Sequence, residues 1–164
     1  MQPSASPSEW VSRFAGLVRP GGTVLDLAAG SGRQSRLFAR AGCQVLAVDR
    51  DVSGLTPEPG LEVLQADLES DPWPLGDRRF DGIVVTNYLH RPLLPRLVAA
   101  TAGVLIYETF AVGNERFGQP SNPDFLLKPG ELLEAVRGHL TVRAYEHGEV
   151  PGPAVRQRIC ATRD

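Results

Sequence analysis

Asp26 is a carboxylate inside an apolar run, four positions before Gly30 in the stretch VLDLAAGSGRQSRLFARAG, residues 24–42. Other groups able to do chemistry recur at the ends of later apolar runs. Asp49 closes QVLAVD, Asp67 closes LEVLQAD, Asn87, Tyr88 and His90 follow FDGIVVT, and Tyr107 and Glu108 come at the end of GVLIYE. Gly30 and Gly32 let backbone approach a ligand closely. A Walker-type phosphate loop would end in Gly-Lys-Ser or Gly-Lys-Thr, and the turn AAGSGRQS has no lysine, which excludes that chemistry. Read as a degraded GxGxxG, with Gly30, Gly32, Ser35 and an acid, Asp49, about 20 residues on, the turn would suit a dinucleotide. Asp26 opposes that reading, because its carboxylate repels a pyrophosphate. A phosphate-free nucleoside bearing positive charge is attracted by the same acid.

These groups need elements that deliver them to one place. Strand-like runs occupy 23–29, 44–49, 61–67, 80–87 and 103–109, and the central ones are continuously apolar, which marks a parallel sheet covered on both faces. Helical spacing appears in SEWVSRFAGLV, where Ser8 begins an incomplete capping box, and in RQSRLFARAG, PLLPRLVAATAG and PGELLEAVRG. Residues 50–60 and 68–79 hold Pro57, Pro59, Pro72 and Pro74, so the crossovers around the third strand are predicted to be short. LTVRAYEHGEV and AVRQRICAT, joined across PGP, read as an antiparallel hairpin. The expected architecture is α/β, a doubly wound and mostly parallel seven-stranded sheet with that hairpin at its end. One domain over residues 1–164 is expected, with residues 1–7 flexible.

At 164 residues, 42% hydrophobic and 22% charged, the chain is sized for one core and lies outside the disordered and membrane classes. It has no apolar stretch of the roughly 18 residues that span a bilayer and no signal-peptide pattern at its start, so a cytoplasmic location is expected. Charges are mixed around a net −2. That gives no concentrated basic face for nucleic acid. Arg156 and Arg158 read as the solvated face of a strand. Cys43 and Cys160 have no metal-ligand spacing and are expected to be reduced, with no metal site.

VLDLAAGSGR is similar to the first motif of the class I S-adenosylmethionine-dependent methyltransferases, acid-x-Gly-x-Gly-x-Gly, with Ala28 where the first glycine stands. The Rossmann-like methyltransferase sheet, seven strands with the last pair antiparallel, covers nearly the whole chain. The resemblance implies S-adenosylmethionine as cofactor. It assigns Asp26, Ala28, Gly30 and Gly32 to the glycine turn, Asp49 to the ribose hydroxyls with Arg50 beside it, and Asp67 to the adenine amino group. Leu68 would supply a backbone donor to the ring, and Asn87 stands in FDGIVVTNYLH, similar to the motif that faces the methyl group. TNYLHRPLLP, LIYETFAVGNERFG and PSNPDFLLKPGELL resemble a small bacterial branch related to tellurite-resistance-type methyltransferases, a likeness that transfers no substrate.

Each assignment has a plainer competitor. Asp49 could end a strand and start a turn, and Asp67 could cap a short turn. Trp73 is either a hydrophobic plug or an adenine-stacking platform. Methyl transfer is an in-line displacement that needs the nucleophile within about 3–3.5 Å of the methyl and water excluded. His90, Tyr88 and Tyr107 are the candidate catalytic residues; His90 could act as a base or could fix its loop by bonding backbone. Residues 110–127 form a connection long enough to be a lid. The lid and the N-terminal helix are expected to enclose a small-molecule acceptor, with Glu108, Asn114, Arg116 and Asn122 as substrate contacts; a self-packed loop is the alternative. The open crossovers leave a homodimer as an allowed assembly. A non-catalytic cofactor-binding sensor or partner subunit, and a nicotinamide oxidoreductase, are the competing functions.

Overall fold

Runs of β-branched and aliphatic residues alternate with amphipathic segments, and in the computed structural model, which describes residues 6–164, they become strands and helices of one sheet system. Of the seven residues expected to be flexible, 1–5 lie outside the described residues. The strands are β1 (Thr23–Leu27), β2 (Gln44–Asp49), β3 (Leu61–Gln65), β4 (Phe80–Thr86), β5 (Thr101–Phe110), β6 (Thr141–Val150) and β7 (Ala154–Thr162). They lie in the order β3-β2-β1-β4-β5-β7-β6. β1 to β5 run parallel, and β7 is antiparallel to both β5 and β6.

Both faces are covered, as the continuous apolarity of the central strands requires. On one face, α1 (Glu9–Phe14) and α2 (Arg33–Arg40) supply Trp10, Val11 and Phe38, which pack with Val24, Val45, Val84, Val104 and Ile106. On the other, α3 (Leu94–Ala100) and α4 (Glu131–Val136) supply Leu97, Leu132 and Val136 against Leu25, Leu46, Ile83 and Leu105. The lean crossovers hold no α-helix; Leu55 closes the first, and Leu68, Trp73 and Leu75 pack over the second. The Trp73 indole donates to the Gly76 carbonyl at 3.2 Å, which makes it a plug in that crossover.

β5 begins at Thr101, two residues before the start expected from the sequence. The Thr101 hydroxyl donates to the Leu97 carbonyl at 2.8 Å and so ends α3. The Arg163 guanidinium donates to the carbonyls of Thr101 at 2.6 Å and Val98 at 2.7 Å. At the other end of the chain, the Ser8 hydroxyl caps α1 by accepting from the Val11 amide at 3.2 Å. Trp10, 2% exposed, donates its indole N–H to the Ile159 carbonyl at 3.1 Å and fastens α1 across β5 and β7. Trp10→Ala is expected to lower unfolding free energy by about 3–5 kcal/mol in urea titrations; a loss under about 1 kcal/mol would show that α1 is not part of the core.

Candidate active site

The strand order reverses between β1 and β4, and the carboxyl ends of these neighbours open a crevice in which ligands of such sheets bind. Ala28 and Asn87, one residue beyond each strand, both have φ of +57°, the only non-glycine residues with positive φ among the described residues. A side chain in that region costs about 1–2 kcal/mol, so the neighbours must hold both in place. The Asn87 amide donates to the Glu108 carbonyl at 3.0 Å, and its Oδ1 accepts from Arg156 Nη1 at 2.7 Å. The crevice is a cleft of about 250 Å³. Ala28, Asp49, Arg50, Asp67, Leu68 and Asn87 line it, together with Tyr88.

Asp49 reaches it from the end of β2. One carboxylate oxygen accepts from the Gly30 amide at 2.8 Å and the other from the Asp51 amide at 3.0 Å, so the acid ties the glycine turn to the β2 end. Gly32 opens α2 with φ +81°, and a Cβ there would lie 2.7 Å from the Leu55 side chain. Only glycine fits that corner. Asp67 accepts from the amides of Glu69 and Ser70 and from the Ser70 hydroxyl, which hold its carboxyl below the usual range. It caps its own turn while facing the cleft.

Asp26 is 1% exposed beneath the turn. Its Oδ2 accepts from the Ser35 hydroxyl at 2.6 Å, whereas Oδ1 is buried without a hydrogen-bond partner. Burial pushes its pKa up from 3.8 to about 6 against the opposing bond from Ser35. Gln34, equally buried, accepts from the Ser8 amide at 3.0 Å and leaves Nε2 unpartnered. A buried acceptor and a buried donor are each costly while unmet. Gln34 was missed in the sequence, and Ser35 was read there only as part of a degraded glycine pattern, although both are polar on the face of α2 that also carries Phe38.

Tyr88 and His90 converge on Glu69, the Tyr88 hydroxyl donating to Oε2 at 3.3 Å and His90 Nδ1 lying 3.7 Å from Oε1. Burial and the Glu69 charge push the Tyr88 pKa up, which keeps the phenol protonated. Tyr107 lies on the α3–α4 face, 1% exposed, and donates to the Tyr88 carbonyl at 2.6 Å; burial raises its pKa as well. Adjacent strand residues point to opposite faces. Tyr107 and Glu108 therefore face opposite sides of the sheet.

Glu108, 6% exposed on the α1 face, accepts from the Ser8 hydroxyl at 2.8 Å and pairs with Arg156 at 3.5 Å and Arg158 at 3.6 Å. The two arginine side chains are only 18% and 19% exposed, contrary to the solvated strand face expected. α1 and the Phe110 ring, 4.3 Å from the Arg156 guanidinium, cover them.

The long connection packs on itself. Asn114 donates to the Pro120 carbonyl and accepts from the Val155 amide, Arg116 bonds the Gly113 carbonyl and Glu149, and Asn122 accepts from the Asp124 amide. Arg91 clamps the segment through the carbonyls of Asp124 and Leu126 and a 2.7 Å pair with Glu131. The structure thus does not gather Asn114, Arg116 and Asn122 at the cleft. A larger cavity of about 510 Å³ lies between α3 and α4, away from the glycine turn. Among the described residues no cluster of His, Cys, Asp and Glu could hold a metal ion, and no helix is long and apolar enough to cross a membrane.

A methyltransferase domain model matches residues 25–106, half of the chain, from β1 into β5. The chain belongs to this methyltransferase family. Among curated proteins no sequence matches the methyltransferase significantly. Solved structures do match its fold. The 1,6-didemethyltoxoflavin-N1-methyltransferase of Burkholderia thailandensis, solved with 1,6-didemethyltoxoflavin and S-adenosylhomocysteine, is 22% identical, with TM-score 0.68 over 92% of this chain and 74% of that one. TehB from Haemophilus influenzae is 18% identical, with TM-score 0.74 over 94% of this chain and 61% of that one. A putative S-adenosylmethionine-dependent methyltransferase from Listeria monocytogenes is 13% identical, with TM-score 0.72 over 94% and 97% of the two chains.

Ala28→Gly in the methyltransferase is expected to raise unfolding free energy by about 0.5–1 kcal/mol, the relief of positive φ exceeding the entropy cost of glycine; unchanged or lower stability in urea titrations would show that Ala28 is not strained. The sign for Asp26 follows from its raised pKa: its contribution to stability is present below pH 3.8 and lost as pH rises through about 6. Ligand-free protein is expected to lose about 2–3 kcal/mol across that window relative to Asp26→Asn; parallel pH profiles for the two would count against the burial.

Proposed function

We propose that the chain, acting as one domain, uses S-adenosylmethionine to methylate a small-molecule acceptor. The observation that carries this reading is the pair of unmet buried groups, Asp26 Oδ1 and Gln34 Nε2, beneath a glycine turn that has no lysine. They would hold the ammonium and carboxylate of the amino-acid end. Asp49 would take the ribose hydroxyls, Asp67 and Leu68 the adenine edge, and Ala28, Gly30, Gly32, Arg50 and Asn87 the remaining wall. Support also comes from the Burkholderia thailandensis enzyme of like fold, solved with S-adenosylhomocysteine and a small heterocycle. When bound, the cofactor supplies a methyl group on a sulfonium, an electrophile with a good leaving group.

The chain's own work is to position and to dry. Asn87, held at both backbone and side chain, fixes the wall where β4 ends. Tyr88, with its phenol held protonated, donates toward Glu69, and His90, beside the same carboxylate, would receive a proton from an acceptor that carries one. Proximity and desolvation supply the remainder.

S-adenosylhomocysteine is expected to raise the melting temperature and NAD to leave it unchanged; stabilisation by NAD alone would reverse the reading. Asp49→Ala is expected to weaken S-adenosylhomocysteine by about 1.5–3 kcal/mol in calorimetry, the loss of hydrogen bonds to a charged group; native affinity would remove Asp49 from the ribose. Normal turnover of His90→Ala at saturating acceptor would remove His90 as a base.

A further inference from the structure

Beyond the end of α1, the same face of the sheet carries a second hollow, about 300 Å³, on the β6–β7 hairpin. Arg156 and Arg158 project into it from β7, with Glu146 and Gly148 opposite them on β6. Gly148 pairs with Arg156 in the hairpin register, and a side chain at 148 would meet no atom within 4 Å. The floor is therefore open for lack of a side chain. Arg156 also separates this hollow from the cleft at β1 and β4, because its Nη1 reaches Asn87 on the cleft wall at 2.7 Å.

The charges around it do not balance. Glu149, which also lines the hollow, is paired with Arg116 at 3.3 Å, whereas in the ion-pair network behind it Arg13, Arg156 and Arg158 meet two carboxylates, Glu108 and Glu146. Glu108 is further shared with the Ser8 hydroxyl. Burial, with the like charges of Arg158 and Arg33, presses the Arg156 guanidinium below its ordinary range while Glu108 opposes them. Its hydrogen bond to Asn87 and its ion pair with Glu108 both run through Nη1, whereas a guanidinium carries five N–H donors in a planar fork that fits a carboxylate at two points. An anion here would satisfy that fork and cancel the surplus charge.

We propose that this hollow receives the methyl acceptor, and that the acceptor carries a carboxylate which docks on Arg156 while its methyl-accepting atom lies toward Asn87. The inference rests on the function proposed above and adds to it the acceptor's site and chemical class. Arg158, tied to Glu108 and Glu146, braces the floor. Arg156 selects, because it alone touches both the hollow and the cleft wall.

The test uses protein saturated with S-adenosylhomocysteine and three probes: benzoate, its neutral isostere benzamide, and sulfate. Calorimetry is expected to show benzoate binding and no benzamide binding. Gly148→Val, which fills the floor, is expected to weaken benzoate at least tenfold while S-adenosylhomocysteine affinity stays within twofold. Arg156→Lys, which keeps the charge and loses the fork, is expected to weaken benzoate by a similar factor and serves if Gly148→Val does not fold. No benzoate binding at millimolar concentration, equal binding of benzamide, or undiminished benzoate binding in the variants would overturn the proposal. Sulfate binding as tightly as benzoate would overturn the carboxylate assignment. Failure of S-adenosylhomocysteine itself to bind marks the loss of the underlying function rather than of the acceptor site.

Discussion

A single hydrogen bond, from the Ser35 hydroxyl to Asp26 at 2.6 Å, joins β1 to the first turn of α2. The turn between them, residues 28–32, carries the chain from a buried strand into α2. With one carboxylate oxygen committed to Ser35, the other is left without a partner in a place water does not reach. A lone buried acceptor is a standing cost that a cationic ligand removes. Under the function proposed above, this one strand residue would set the sign of the charge that the turn admits.

The second constraint is a polar seam under α1. Ser8 reaches Gln34 through its amide and Glu108 through its hydroxyl, Glu108 reaches both hairpin arginines, and Arg156 reaches Asn87. Buried ion pairs add little net stability, yet removing one partner leaves an expensive charge behind. Their value here is geometric. The seam links the N-terminal helix, the glycine turn, β5 and the C-terminal hairpin, so residues 8, 34, 87, 108 and 156 are held in register although the sequence scatters them. The left-handed backbone at Asn87 persists because this network determines it from two sides.

Much of the fold was legible because it follows from periodicity. Continuous apolarity in TVLDL, QVLAVD and FDGIVVT meant burial on two faces, prolines at 57, 59, 72 and 74 left no room for crossover helices, and PGP marked the hairpin. The site was legible where residue type alone restricts chemistry, as with the acid in β1 and the absence of lysine in the turn. Residues whose partners lie far along the chain were not. Arg156 and Arg158 looked like a solvated strand face, since alternation shows which side of a strand they take and not that a helix 150 residues earlier covers it. Asn114 looked like a ligand contact, but its amide closes its own loop and the end of β7. Tyr107 and Glu108 stand side by side in the sequence, yet neighbours on a strand face opposite sides, and the Tyr107 hydroxyl is taken by the Tyr88 carbonyl.

The strand order has a further consequence for how the molecule comes to exist. β7 follows β6 in the chain, yet it is β7 that lies against β5, with β6 outermost. As the polypeptide leaves the ribosome, β6 emerges into solution with nothing to pair with, and β5 keeps a bare, strongly apolar edge until the next strand arrives and slots between them. Glu108 gains its two arginine partners only once β7 lies against β5. The charged seam therefore waits on the last strand of the chain, and until that strand docks β5 keeps an open apolar edge, the kind of surface through which incompletely folded chains associate.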